Sequence, residues 1–160
     1  MHVHNGMTPE QCRNSADALN KLLADEAVLY IKTLNYHWNI VSPHFGAMHE
    51  FFKDQYEQLL DFTDDVAERA RALGHPALGT MKEFLSHTQL PEQAGVPSEP
   101  DMIKNLLNDH ETIVRTLRVM QHTAMEKYND AGTNNFLCDL LEKHEKMAWM
   151  LRSFLTAHGC

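Results

Sequence analysis

Four side chains in this chain carry the chemistry of transition-metal ligands: His37, His49, Asp64 and Glu68. Imidazole nitrogen combined with carboxylate oxygen is a donor set that suits iron and also accepts zinc. Their spacing restricts how they can act together. Between Ala47 and Leu73 there is no Gly and no Pro, so nothing interrupts a helix carrying His49, Asp64 and Glu68. Asp64 and Glu68, at i and i+4, share one face of that helix. Position 64 lies about 60° around the axis from position 49, so the three groups point to one broad side. Along the axis, however, His49 and Asp64 are about 22 Å apart, whereas ligands of one ion sit only about 2.0–2.6 Å from it. These residues of one chain cannot share a metal. Two antiparallel copies of the helix, related by a twofold axis, would bring His49 of one chain beside Asp64 and Glu68 of the other. The spacing therefore predicts an intersubunit site.

The other histidines have simpler readings. His37 continues the apolar series Leu23, Ala27, Tyr30, Leu34 on the preceding helix and by itself reads as a core histidine. Asp64 and Glu68 alone would read as a solvated acidic face. Taken together with His49, they point to a metal centre. His110 and His144 fall on or near apolar stripes beside Leu106, Leu107, Leu140 and Leu141. No Glu in the chain is followed by His three positions later, the pair that ordinary di-iron bundles use inside one subunit. Core or buried polar roles are expected for His110 and His144. His2 and His4 beside an amino terminus could bind a metal, but a short disordered tail is the simpler expectation.

The elements that must position these groups are long helices. Thr8-Pro9-Glu10-Gln11 is a capping box with Pro at the first helical position, opening a helix to about Ile40. Ser42-Pro43 breaks it, and a second helix runs to Arg71 or Ala72 before Gly74. Pro76, Gly79, Pro91, Gly95 and Pro97 prevent one helix from filling the next stretch, although Thr80-Met81-Lys82-Glu83 caps a short one within it. A third long helix is expected from about Glu99 to Tyr128, and a fourth, capped by Thr133 after Gly132, to about Ala157. The long connection lets the second and third long helices run parallel. The fold expected is all-α, a ferritin-like four-helix bundle with one long crossover. It forms a single domain over residues 1–160, with short flexible tails at about 1–7 and 158–160.

The segments Tyr36-His37-Trp38-Asn39, Pro43-His44-Phe45-Gly46-Ala47-Met48-His49-Glu50 and Asp64-Asp65-Val66-Ala67-Glu68-Arg69 resemble the Dps family, the dodecameric mini-ferritins. Leu73-Gly74 followed by Leu78-Gly79-Thr80 is similar to that family as well, and the likeness spans roughly residues 10–157. The resemblance implies a hollow twelve-subunit shell built from twofold dimers. Its ferroxidase centres would take His37 and His49 from one subunit and Asp64 and Glu68 from its neighbour. It also implies oxidation of Fe(II), typically by hydrogen peroxide, and storage of the ferric product in the cavity. Trp38 would neighbour the metals, and Asp130 and Asp139 are candidates for an acidic threefold pore, with Asn135 standing where a third acid is expected. The alternative for both aspartates is an ordinary solvated helix terminus.

One position departs from the family. Dps proteins usually carry another carboxylate one turn after the second histidine, and here that position is Lys53. An ammonium a few ångströms from a divalent ion opposes binding by several kcal/mol even at an effective dielectric near 20, so it must swing away, lose its proton or pair with a carboxylate. Glu50 and Glu57 lie at pairing distance along the helix. The centre is read as weakened or mononuclear.

Composition bounds the function. The formal net charge is −8, and Arg13 is the only Lys or Arg in the first twenty residues, whereas phosphate binding needs clustered cations. An acidic shell attracts metal cations instead. No apolar run has the length of a membrane span and no secretory pattern opens the chain, so a cytoplasmic location is expected. Cys12, Cys138 and Cys160 form no close metal-binding pair and are expected as reduced thiols. Three functions stand: a peroxide-consuming ferroxidase and iron store protecting against oxidative damage, a metal-binding cage that oxidises iron poorly because of Lys53, and, least favoured, a DNA-compacting structural protein.

Overall fold

A computed structural model describes residues 3–156, apart from the side chain of Thr156. Five helices follow one another: α1 (Pro9–Asn39), α2 (Phe45–Ala72), α3 (Met81–His87), α4 (Glu99–Glu126) and α5 (Ala131–Thr156). The two capping boxes form as the sequence predicts, with the Thr8 hydroxyl accepting from the Gln11 amide and that of Thr80 from the Glu83 amide. The end of α2 is equally local. Gly74 adopts φ 86°, its amide donates to Arg71 and the His75 amide donates to Ala70, a closure that only a left-handed residue allows without strain.

Side-chain pairs give the directions of the helices. Tyr36 meets Phe52 while Tyr30 meets Tyr56, so α1 and α2 are antiparallel. Asn105 donates to the Tyr36 hydroxyl and Lys32 pairs with Asp109, so α1 and α4 are antiparallel too. Hence α2 and α4 run parallel, which the connection over residues 73–98 makes possible. Asn20 and Asp25 of α1 tie that connection down: Asn20 bonds Pro76 and Leu78, and Asp25 accepts from Thr88 and Gln89. The expected ferritin-like bundle with one crossover is the fold observed.

The core runs through the four long helices, with Leu19, Leu22, Leu29, Phe52, Leu59, Met102, Leu106, Ile113 and Leu151 buried. Two boundaries differ from expectation. α4 ends at Glu126 because Asn129 turns the chain through φ 51°. α5 begins at Ala131 and is capped by Asp130, whose Oδ1 accepts from the Thr133 amide at 2.9 Å, so Thr133 is the capped residue and not the cap. In the expected N-terminal tail, Met7 packs on the core and its amide donates to Asn5. His2, Cys160 and residues 158–160 lie outside the described residues. Cys12 and Cys138 are free thiols.

Candidate metal centre

α1 ends and α2 begins within a few residues of each other, and this corner brings His37 against His49. Each ring binds the other's main chain: His37 Nδ1–H donates to the carbonyl of His49 at 2.8 Å, and His49 Nδ1–H donates to the carbonyl of His37 at 2.9 Å. A carbonyl can only accept, so both Nδ1 atoms carry their protons and both Nε2 atoms keep lone pairs. The rings stack with centroids 3.8 Å apart. Phe45 stacks on the outer face of His49 at 5.1 Å, and the edge of Tyr56 meets His37, also at 5.1 Å. Fixing a ligand ring and its tautomer through the second nitrogen is the usual preparation of a histidine for metal. His37 is buried, 8% exposed, and His49 is half-buried.

Asp64 and Glu68 are exposed farther along α2. Among the described residues no three His, Cys, Asp or Glu side chains come together as a metal-holding group, so one chain holds only half of the predicted set at either end. Lys53, one turn after His49, is half-buried. Among the described residues neither Glu50 nor Glu57 pairs with it, contrary to the pairing that helical spacing allows. Trp38 lies beside His37 in sequence but turns outward, 67% exposed, and is not a core residue of this chain.

The two pore candidates have different surroundings. Asp130 is buried; besides capping α5 it accepts from Arg69 at 2.9 Å, while Arg69 Nε donates to Thr133. Burial pushes its carboxyl up, but the bonds from Thr133, the Arg69 charge and the nearby Ser15 hydroxyl outweigh this and hold it below the ordinary range. Gly132 leaves room for the Arg69 guanidinium, since a Cβ there would stand 2.8 Å from Nη2. Asp139 is exposed and pairs with Lys143 one turn on.

His110 and His144 are fully buried, in keeping with the polar core role expected for them. The two rings face each other through Nδ1 atoms 2.9 Å apart, and His144 Nε2–H donates to Glu26 at 2.8 Å. Sequence reading missed Glu26 as the third member, although an acid inside the run Leu22-Leu23-Ala24-Asp25-Glu26-Ala27-Val28-Leu29 is a signal. It also missed Tyr56, which lies seven residues after His49 and therefore on the same face of α2.

The geometry has counterparts in known proteins. A ferritin-like domain model matches residues 16–158. The chain belongs to the ferritin-like family, on its Dps branch. It is 42% identical over 154 residues to the low temperature-induced protein all0458 of Nostoc sp., covering 96% of this chain and 86% of that one. The solved structure of DpsC from Streptomyces coelicolor superposes with TM-score 0.94 at 30% identity, covering 97% of this chain and 91% of the other. A Dps protein from Vibrio cholerae O1, described as a member of a broad superfamily of ferritin-like diiron-carboxylate proteins, gives TM-score 0.91 at 28% identity, covering 97% and 98%. Iron is the metal that this family implies, and the donor set on the page fits it. No helix among the described residues is long and apolar enough to cross a membrane.

Proposed function

We propose that this chain is an iron-sequestering mini-ferritin of the cytoplasm. Twelve copies, assembled as twofold dimers, would oxidise Fe(II) with hydrogen peroxide and keep the ferric product inside the shell, protecting the cell from oxidative damage. The observation that carries this reading is the reciprocal locking of His37 and His49 through their Nδ1 atoms, which commits neither Nε2 to a hydrogen bond among the described residues. Asp64 and Glu68 of a neighbouring copy would supply the carboxylates, neutralising and holding the ion while the imidazoles complete its shell. Trp38, exposed beside this corner, would be covered by the same neighbour. Asp139 is the better pore candidate of the two acids, because it is exposed with its Lys143 pair, whereas Asp130 is buried and caps α5.

The test is anaerobic loading of the size-fractionated oligomer with Fe(II), followed by substoichiometric peroxide, with ferric absorbance recorded. Oxidation of about two irons per peroxide, the ratio that two-electron reduction demands, is expected, and it should be lost in His49→Ala and Asp64→Ala. Oxidation no faster than in protein-free buffer would sink the proposal. The same titration with Zn(II) present measures whether zinc competes for the centre.

A second reading has one observation behind it: the half-buried, unpaired Lys53 favours a cage that binds metal but oxidises iron slowly. A low rate with intact binding would select it. DNA compaction has no basic cluster to support it, and a gel shift that persists at physiological ionic strength would be needed to revive it.

A further inference from the structure

The donor set read for the metal centre is short of negative charge. His37 and His49 would bind as neutral imidazoles through Nε2, since each Nδ1 donates to a main-chain carbonyl. Asp64 and Glu68 of a neighbouring copy would then balance a divalent ion and nothing more. Lys53 adds a cation on the same side of α2, four residues and about 6 Å of helix rise beyond His49. Its own chain does not answer that charge. Lys32 pairs with Asp109, Arg69 with Asp130 and Lys143 with Asp139, but Lys53 has no carboxylate partner among the described residues. Lys21, Lys82 and Lys104, which also lack one there, are exposed to water, whereas Lys53 is half-buried. Glu50 and Glu57, at i−3 and i+4, are within helical reach, yet both are exposed and neither pairs with it. A partly desolvated ammonium beside an incomplete metal site favours an anion that can serve both.

We infer, resting on the metal-centre reading above, that Lys53 anchors an exogenous oxyanion of the phosphate or carbonate type, which serves as a further ligand of the metal. One oxygen of the anion accepts from the Nζ ammonium, and another is the metal donor. An oxyanion carries oxygens on more than one side, so it joins two cations that would otherwise repel each other. A dianion neutralises the ammonium and leaves a negative charge for the ion, which counts for more once iron is ferric. Lys53 thereby makes the centre conditional. Metal binds well only when the oxyanion is present, and each raises the affinity for the other by the same factor. A carboxylate at position 53 would give affinity without that dependence.

Equilibrium titration of the intact oligomer with Co(II), in buffers of equal ionic strength containing phosphate, bicarbonate or chloride alone, tests this. Phosphate or bicarbonate should tighten Co(II) binding about ten-fold in the wild type and chloride should not, because an effect of screening would follow ionic strength. The two oxyanion arms show which one the site takes. Lys53→Met, which keeps the length of the stem and removes the charge, should bind Co(II) with an affinity that neither oxyanion changes, while Lys53→Arg should keep the dependence. Phosphorus relaxation gives a second readout: the Co(II)-loaded wild type should broaden the phosphate resonance, and Lys53→Met should not. An oxyanion effect of the same size in Lys53→Met would overturn the assignment and leave the metal centre standing. So would a wild type that binds Co(II) with no oxyanion effect, a result meaning that a carboxylate of a neighbouring copy answers the ammonium. If wild type and His49→Ala bind Co(II) equally weakly in every buffer, the metal-centre reading falls together with this one.

Discussion

Two pairs of imidazoles touch in this chain, and they are put to opposite uses. His37 and His49 spend their Nδ1 protons on main-chain carbonyls, with His49 half-buried and His37 8% exposed. His110 and His144 share one proton between their Nδ1 atoms, and His144 gives its other to Glu26, all without exposure to solvent. The first pair leaves both Nε2 atoms without a hydrogen bond among the described residues. The second is tied to Glu26 and joins α1, α4 and α5, although His110 Nε2 and Glu26 Oε2 stay buried without a hydrogen-bond partner among the described residues. Residue type therefore does not decide the role of a histidine; the nitrogen already committed, and where the other one points, decide it.

The largest expected effect breaks the buried pair. His144→Leu leaves Glu26 as a buried carboxylate without its partner, which should cost about 3–5 kcal/mol. His49→Leu should cost less, about 1 kcal/mol of fold stability, because its ring is half-buried, its one hydrogen bond goes to main chain and a leucine can keep part of its packing on His37 and Phe45. Urea unfolding of both variants measures the contrast directly. Equal losses would mean that the surface pair is as much a part of the core as the buried one.

Acidification should separate the pairs a second way. Burial, and then the neighbouring His144, hold the His110 imidazole well below its ordinary value of 6.5. The unfolded chain then takes up a proton first as the pH falls. The stability contributed by neutral His110 is present above about pH 6.5 and is lost as pH falls toward the folded-state value, by up to about 1.4 kcal/mol per pH unit. Denaturation midpoints measured from pH 7 to pH 5 should show this slope, and His110→Leu should flatten it. The group bonded to His110 is His144, which in turn binds Glu26, so His110→Leu is the variant that removes the titrating ring. An unchanged slope in that variant would assign the acid sensitivity elsewhere.

Much of this framework was legible before any coordinates because it is written in local terms. Capping boxes at Thr8 and Thr80, the break at Ser42-Pro43 and the stop at Gly74 act within a few residues of themselves, and each operates as read. The separation of His49 from Asp64 was legible as well, since helix rise alone puts them too far apart to share an ion within one chain, and no three-residue metal group forms among the described residues. What sequence could not supply were the partners that meet across helices. Thr133 looks like a cap by composition, but Asp130 takes that role because Arg69, brought in from α2, stabilises its carboxylate there. Glu26 sits 118 positions from the His144 it binds, and no spacing rule spans that distance. Tyr56 required knowing which side of α2 faces the end of α1.

Lys53 is where the surface pair can be sharpened most cleanly, because its replacement should alter the site and leave the core untouched. It stands one turn from His49, half-buried, and no ion pair among the described residues holds it. Replacing it with Glu removes a cation and adds the oxygen donor that the site otherwise draws only from Asp64 and Glu68. The full Coulomb change at an effective dielectric near 20 would be several kcal/mol, but partial exposure screens most of it, leaving about 1.4 kcal/mol, or ten-fold in affinity. Titration of the oligomer with Co(II) should show tighter binding and a second equivalent per centre in Lys53→Glu, with urea midpoints unchanged. If binding and stoichiometry both stay at wild-type values, the ammonium lies outside the field of the metal, and the weakness assigned to this centre has to be dropped.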